Sequence, residues 1–310
     1  MNILEVNNLN CSYTGDRTAL EVQDLAIPAK KLTFLLGVSG VGKSTILETL
    51  GLMSNTIVPS PNASFKFHSR GTTTDVAELW NQKETARSDF RKENLSFIFQ
   101  STNLMDNMSV LENAKITQLI QGVHDAVAEQ AAIRFLHSIN LVQKDRNGKI
   151  MEGATREMWD KPPHAISGGQ RQRLAFARAI ATEATVLFAD EPTGNLDAWN
   201  ADNLVNILTS ELASREQTAV IVTHDISLAL NHAHQIILIR KVSAQDDAGQ
   251  YTHGRVSQEF TFNRDTTKST TWNQSVGTFN NTLSKEELRS FMHKALEEDI
   301  LSSNDIAAES

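Results

Sequence analysis

Apolar and polar positions alternate along the first 36 residues in the way that β-strands require. Residues 3–13 and 19–27 roughly alternate, which is typical of strands with one buried face. Residues 32–36 are almost continuously apolar, as in a strand that is buried on both faces. A glycine-rich turn comes next, and residues 44–52 have helical spacing. The chain therefore predicts strand, glycine turn and helix in that order.

Helices and short strands continue to alternate up to about residue 242. This alternation predicts a mostly parallel sheet that is covered on both sides. Asp125 is the expected N-cap of one helix. A loop or edge hairpin is expected at 55–74, and a loop-rich insertion at 142–163. The predicted helices are 84–91, 110–141 (broken before Asp125), 168–181 and 200–213, and the predicted strands are 95–99, 186–189 and 219–223.

The end of the chain has a different character. Between residues 264 and 283, 12 of 20 positions are Ser, Thr, Asn or Gln, which indicates a linker with little core of its own. Ser284 and Glu287 then predict a capping box at the start of a helix. The apolar face of this helix either extends a dimer or docks a partner, or it packs on the sheet edge of its own subunit, which we favour. The face comprises Leu288, Phe291, Met292, Ala295, Leu296 and Ile300.

Composition narrows the class of protein. The 310 residues carry a formal net charge of −8, which argues against a protein that coats nucleic acid. Cys11 is the single cysteine, so no intramolecular disulfide can form. The first residues lack the pattern of a secretory signal, and the apolar runs are far shorter than the ~20 residues of a membrane-spanning helix. We therefore expect another chain to cross the membrane if this protein works at one.

The strongest chemical signal follows the buried strand at 32–36. It fits the spacing G-x-x-x-x-G-K-[ST], in which glycines let backbone N–H groups converge on phosphate oxygens at a helix N-terminus. Lys43 is expected to reach the β- and γ-phosphates, and Ser44 to ligate Mg²⁺. The predicted phosphate-binding residues are Gly37, Ser39, Gly40, Val41, Gly42, Lys43, Ser44 and Thr45.

A second apolar strand ends in two carboxylates, Asp190 and Glu191. Because neighbouring residues of a strand point in opposite directions, the two groups can have separate roles. Asp190 is expected to hold Mg²⁺ directly or through water, and Glu191 to polarise the attacking water. Taken alone, such an ending also fits a solvated strand end. Its occurrence together with the glycine-rich loop favours the catalytic interpretation.

A serine and two glycines open the predicted helix at 168–181. Ser167-Gly168-Gly169-Gln170, followed by Arg171-Gln172-Arg173, resembles the signature of the ATP-binding-cassette (ABC) ATPases. A helix start of this kind can hold an anion, although Ser167 also suits a simple N-cap. In the family this turn contacts the ATP that is bound to the opposing copy. The resemblance therefore implies a homodimer that encloses two ATP molecules, with residues 167–170 of each copy in contact with ATP.

Four further residues match the family pattern. Gln100 resembles the glutamine that reaches Mg²⁺ and the attacking water, and His224 resembles the histidine that contacts the γ-phosphate. Tyr13 resembles the aromatic that stacks on adenine, and Asp197 lies in a segment that resembles the loop bridging the two ATP sites. Each match is weak alone, but their order and spacing agree with the family.

Residues 99–113 and 190–197 resemble a narrower group, which includes the bacterial ATPases of lipoprotein release, macrolide export and cell division. The resemblance implies a Mg²⁺-dependent ATPase subunit that drives an integral membrane partner in transport or mechanotransmission. It also implies a cytoplasmic location on the inner face of the cell membrane. The expected partner groove includes Asn103, Leu104, Met105 and Met108, although the apolar members fit a core position equally well.

The expected fold is α/β, a P-loop ABC-type nucleotide-binding domain with a mixed sheet core, a helical subdomain and a C-terminal extension. The ATPase domain is expected at 1–242, with the helical subdomain at about 101–180. A hairpin and polar linker are expected at 243–283, and an acidic helix and tail at 284–310.

Two functions of other classes compete with this interpretation. A soluble, non-transport ABC ATPase acting on a protein or nucleic-acid partner is the main alternative, but its DNA-repair form requires long coiled coils between Gln100 and Ser167, which are only 67 positions apart. The acidic balance also argues against a nucleic-acid partner. A regulatory dimer that binds ATP without turnover is disfavoured because Glu191 is present.

Overall fold

The secondary structure of the computed structural model follows the alternating pattern. The structure describes residues 1–14, 17–69, 71–246, 249–265, 271–276 and 279–297. Contacts divide the chain into two units, residues 1–88 with 218–310 and residues 89–217. The elements in the described residues are β1 (Asn2–Cys11), β2 (Leu20–Pro28), β3 (Leu32–Leu36), α1 (Lys43–Leu50), β4 (Ile57–Val58), β5 (Ser64–Ser69), β6 (Thr72–Asp75), α2 (Val76–Leu79), α3 (Glu84–Asn94), β7 (Leu95–Ile98), α4 (Val110–Ile120), α5 (Asp125–Ser138), α6 (Glu152–Trp159), α7 (Gly168–Ala181), β8 (Val186–Asp190), α8 (Ala198–Arg215), β9 (Thr218–Thr223), α9 (Ile226–His232), β10 (Gln235–Leu238), β11 (Arg240–Asp246), β12 (Gly249–Val256), β13 (Thr261–Arg264), β14 (Thr271–Val276), β15 (Phe279–Ser284) and α10 (Lys285–Glu297).

The first unit contains a sheet in the order β11–β12–β2–β1–β5–β6, with β4 paired to β1. Its pairs are antiparallel except for β12 and β2, which run parallel. The alternating pattern of β1 and β2 turns their apolar residues to one buried face. Cys11 ends β1 in the core, where the Thr49 hydroxyl donates to its sulfur over 3.8 Å.

A second sheet of this unit carries the glycine-rich loop at 37–45. β3 lies between β9 and β10, and all three strands are parallel. All five residues of β3 and all six of β9 are buried, as the continuous apolar runs predict. The predicted combination of parallel and antiparallel strands is therefore confirmed.

The predicted linker at 264–283 is wrong for the residues that the structure describes. β13, β14 and β15 extend the second sheet outward from β10 as successive antiparallel strands. The polar residues of this stretch are compatible with a strand that has a wet face, and Trp272 supplies the apolar anchor at 1% exposure. Polar residues dominate the composition of this stretch, although one face of its strands reaches the core at Trp272.

The capping box predicted for the last helix is confirmed. The Ser284 amide donates to the Glu287 carboxylate over 2.8 Å, and the Glu287 amide donates to the Ser284 hydroxyl over 3.2 Å. Leu288, Met292 and Ala295 are buried, and Phe291 meets Phe262 edge-to-face at 5.6 Å. The predicted packing of this helix on its own subunit is therefore confirmed. Ile300 and the tail at 298–310 lie outside the described residues.

The second unit combines helices α4 to α8 with the parallel pair β7 and β8. The predicted break in the helical stretch at 110–141 is confirmed, but Asp125 is the first residue of α5 rather than its N-cap, which is His124. The predicted loop-rich insertion contains the helix α6. Trp159 anchors α6, because it is 5% exposed and its indole N–H donates to the Leu141 carbonyl over 2.8 Å.

Candidate nucleotide-binding site

The loop between β3 and α1 has the backbone shape of a phosphate cradle. Gly40 and Gly42 have φ angles of 76° and 98°, in the left-handed region that glycine adopts without strain. The Lys43 ammonium donates to the carbonyls of Gly37 and Val38 over 2.9 and 3.0 Å, so the lysine folds back over the loop. Ser39, Gly40 and Ser44 are exposed.

The loop rests on the hairpin formed by β11 and β12. Gly254, a buried residue of β12, lies so close to the loop that an added Cβ would stand 1.9 Å from the Val41 carbonyl oxygen. Val41 itself is 1% exposed. The backbone of the loop thus lies directly against a residue more than two hundred positions further along the chain.

Two other predicted residues of the first unit lie beside this loop. Leu36 and Thr223 are paired at the ends of the parallel strands β3 and β9, so the loop and His224 leave the sheet at the same edge. The Tyr13 hydroxyl hydrogen-bonds the Thr45 hydroxyl at 3.0 Å, at the start of α1. Because Tyr13 is 60% exposed, its ring face is open to stacking. The structure therefore brings residues 37–45, Tyr13 and His224 together.

In the second unit, the predicted carboxylates and glutamine share a strand edge. Ile98 pairs with Ala189 in the parallel strands β7 and β8, so Gln100 and Glu191 follow their strands at the same end. Asp190 is the last residue of β8. Glu191 has a φ of 44°, a left-handed conformation that is uncommon for a residue with a side chain. Backbone strain of this kind concentrates at functional sites.

The signature turn opens α7 with a complete capping box. The Ser167 hydroxyl accepts from the Gln170 amide over 3.2 Å, and the Gln170 side chain accepts from the Ser167 amide over 2.8 Å. Gly168 is exposed and Gly169 is half-buried. The Gln170 side chain thus holds the shape of the turn, and the helix N-terminus gives the turn positive potential.

Asp197 caps the following helix, α8. Its carboxylate accepts from the Asn200 amide over 2.9 Å, and this bond lowers the pKa of Asp197. A Cβ added to Gly169 would lie 3.5 Å from the Leu196 side chain, so the loop before Asp197 and the signature turn are neighbours within the second unit.

Sequence reasoning missed two buried residues that shape the loop at 102–109. Asn113, which is 0% exposed, accepts from the Met105 amide and donates to the carbonyls of Met105, Met108 and Ser109 over 2.8 to 3.1 Å. Arg178 donates to the carbonyls of Thr102 and Asn103 over 3.0 and 2.8 Å, and its burial lowers its pKa. Polar residues inside apolar helical stretches are the signal that could have found them.

The sequence of this chain matches a known protein family. The profile of the ABC transporter family matches residues 20–194, which is more than half of the chain. The chain belongs to the ABC transporter family. As a member it is an ATP-binding cassette with ATPase activity, and the predicted fold class is confirmed.

Curated relatives support the narrower resemblance as well. The lipoprotein-releasing system ATP-binding protein LolD of Pseudoalteromonas translucida is 33% identical over 73% of this chain and 88% of its own. The macrolide export ATP-binding/permease protein MacB of Photorhabdus laumondii is 31% identical over 91% of this chain. The aligned region makes up only 39% of MacB. The predicted likeness to lipoprotein-release and macrolide-export ATPases is therefore confirmed.

Solved structures confirm the fold. The dimeric structure of MJ0796, described as a bacterial ABC transporter cassette, aligns with a TM-score of 0.61 at 24% sequence identity. The alignment covers 76% of this chain and 93% of the MJ0796 chain. Among the residues that our structure describes, no helix is both long and apolar enough to cross a membrane.

Proposed function

We propose that the chain is the ATP-hydrolysing subunit that drives a separate membrane protein in transport or mechanotransmission, as a homodimer around two ATP molecules. The observation that carries this proposal is the exposed, capped turn at Ser167, in a chain that also has the glycine-rich loop at 37–45. Two anion-binding elements in one ATPase subunit are explained when each serves a different ATP. The dimeric form of MJ0796 supports the same arrangement here.

In this proposal the residues of the loop bind ATP first. Tyr13 stacks on adenine, the N–H groups of residues 37–45 surround the phosphates, and Lys43 leaves its carbonyl partners for phosphate oxygens. Glu191 accepts a hydrogen bond from the attacking water, and His224 contacts the γ-phosphate. Water adds to the γ-phosphorus as its bond to the bridging oxygen breaks, and ADP and phosphate are released.

Each of the predicted Mg²⁺ ligands has a donor group of suitable chemistry. Ser44 offers a hydroxyl, Gln100 an amide oxygen and Asp190 a carboxylate, and these are oxygen ligands of the kind that Mg²⁺ takes beside nucleotide phosphates. Ser44 and Gln100 are exposed, and Asp190 is half-buried at the end of its strand. When bound, the ion would neutralise charge on the β- and γ-phosphates.

Glu191→Gln tests the mechanism most directly. The amide is nearly isosteric but a poor base, so ATP binding is expected to persist while hydrolysis falls by orders of magnitude. A closed, ATP-bound dimer then accumulates in size-exclusion chromatography with Mg-ATP. Glu157→Gln is the matched control, since Glu157 is 77% exposed on α6 and is expected to leave turnover unchanged. Rapid hydrolysis by Glu191→Gln, or a single-copy protein at full turnover, would refute the proposal.

Two further variants separate the two contributions to one ATP. Lys43→Ala is expected to lose nucleotide affinity, because the phosphates lose their cationic partner. Ser167→Arg is expected to abolish turnover while nucleotide still binds, because the damaged contact belongs to the ATP of the other copy. If Ser167→Arg hydrolyses ATP normally, the signature turn does not contribute to the active centre.

The membrane partner is proposed to dock on the loop at 102–109, on the cytoplasmic side of the membrane. The names of the relatives, in lipoprotein release and macrolide export, support a role in a transporter. The buried contacts of Asn113 and Arg178 give this loop a defined shape, and Met105 is 40% exposed on it. Co-expression with membrane proteins from neighbouring reading frames provides the test. A partner that raises ATPase activity is expected to lose this effect with Met105→Asp, and an unchanged stimulation would move the docking surface elsewhere.

A further inference from the structure

One buried side chain of α7 holds the backbone that carries Glu191. Gln172 is 1% exposed, and its amide nitrogen donates to the Pro192 carbonyl over 2.6 Å. The same nitrogen lies 3.5 Å from the Glu191 carbonyl oxygen. Helix α7 is thereby joined to the turn that follows β8, within the second unit.

The chemistry of this contact requires a donor. Both groups that face the Gln172 nitrogen are carbonyl oxygens, so only a hydrogen-bond donor suits the position. The other end of the amide, Oε1, is buried without a hydrogen-bond partner among the described residues. A buried carbonyl without a partner lowers stability, so packing alone would favour an apolar residue here. The presence of glutamine therefore indicates that its donor is used.

The backbone at Glu191 is also one that needs support. Its φ of 44° lies in the left-handed region, which a residue with a Cβ occupies only when its surroundings impose it. The Gly194 amide donates to the Glu191 carbonyl over 3.2 Å from within the turn. Gln172 adds a second constraint from outside the turn. Together these bonds set the direction in which the Glu191 side chain leaves the strand.

We propose that Gln172 is a positioning residue for Glu191, and that it connects Glu191 to the helix whose first turn is formed by Ser167. This inference rests on the roles proposed above for Glu191 and Ser167. Gln172 touches neither ATP nor water in the reaction. It acts through the backbone of residues 191 and 192, so helix α7 links the turn that meets the ATP of the other copy to the base that serves this copy's own ATP.

Gln172→Met removes the donor and retains nearly the same volume. We expect kcat to fall about tenfold to hundredfold, because a small displacement of a catalytic group costs this much. The KM for ATP and the affinity for ATP, measured with a non-hydrolysable analogue, are expected to stay within about twofold. Gln172→Glu, which places a carboxylate against two carbonyl oxygens, is expected to lose at least as much. Gln118→Met is the matched control, because Gln118 is a 4% exposed glutamine of α4 whose amide nitrogen has no partner among the described residues.

The outcomes separate positioning from simple structural support. A loss in kcat alone, with a melting temperature close to that of Gln118→Met, supports the assignment. An unchanged kcat overturns it, and so does a loss of ATP affinity in parallel with kcat, since that would mean general damage to the subunit. If Glu191→Gln forms no ATP-bound dimer, the proposed function fails whatever Gln172 does. If that dimer forms while Gln172→Met hydrolyses ATP normally, only the positioning role is lost.

Discussion

Gly254→Ala is expected to disturb ATP binding from a strand that lies far from the loop in sequence. The added Cβ would stand 1.9 Å from the Val41 carbonyl oxygen and 3.0 Å from the Leu20 side chain. Carbon atoms of this type essentially never come closer than 3.0 Å to a neighbour, so β12 and the loop must separate by at least 1.1 Å. The contacted atom of Val41 belongs to the backbone, so it cannot rotate out of the way as a side-chain atom could.

The place where the strain is relieved decides whether ATP affinity or the free energy of unfolding falls. Overpacking of a well-packed region costs about 1–3 kcal/mol. If the loop moves, ATP affinity is expected to fall about 5- to 150-fold, which corresponds to the same free energy. If β12 moves instead, its pairing with β2 at Leu20 weakens and the free energy of unfolding falls by this amount.

Titration with labelled ATP and chemical denaturation of the same variant measure the two effects. Gly153→Ala is the control, because an added Cβ there meets no atom within 4 Å and the residue lies in α6. It is expected to leave ATP binding unchanged and, as the second residue of α6, to change the free energy of unfolding by less than about 1 kcal/mol. If Gly254→Ala matches wild type in both measurements, the loop does not depend on β12.

Three other perturbations test the fold. Trp272→Ala is expected to cost about 3–5 kcal/mol in chemical denaturation because the side chain is 1% exposed, and a cost below about 1 kcal/mol would mean that β14 is not part of the core. Leu288→Ala, in the fully buried face of α10, is expected to cost about 2–5 kcal/mol by the same measurement, and a neutral result would contradict the docking of this helix. Hydrogen bonds from His253 and Arg255 lower the pKa of Glu21 to about 2 from its ordinary 4.5. The contribution of Glu21 is therefore full above pH 4.5 and is lost as the pH falls towards 2, so the difference in unfolding free energy between wild type and Glu21→Gln is expected to shrink over this range, and a constant difference would refute the contact.

The local structure around many of the candidate site residues could be predicted because it depends on nearby sequence. The loop at 37–45 and the strand that ends at Asp190 depend on spacing within about ten residues, and hydrophobic runs place both at strand ends. The helix cap at Ser167 is likewise local. Such features survive without knowledge of tertiary packing.

The remaining features arise from contacts between distant segments. Gly254 lies against the Val41 carbonyl, and Gln172 donates to the Pro192 carbonyl. No sequence pattern connects the two residues of either pair. The strands at 271–284 escaped prediction because polar residues dominate them and a single tryptophan provides the anchor. The composition of such strands reflects their solvent-exposed face and gives little sign of their buried face.

The chemistry of the single cysteine opens a practical route into the ATPase cycle. Cys11 is fully buried, and its burial raises the pKa of the thiol, so the reactive thiolate is scarce. Maleimide reagents are expected to spare it in the native protein. A cysteine introduced at Trp199, which is 70% exposed at the start of α8, would then take a spin label or dye without any prior removal of the native residue. The approach and departure of two labelled copies could be timed directly during ATP turnover.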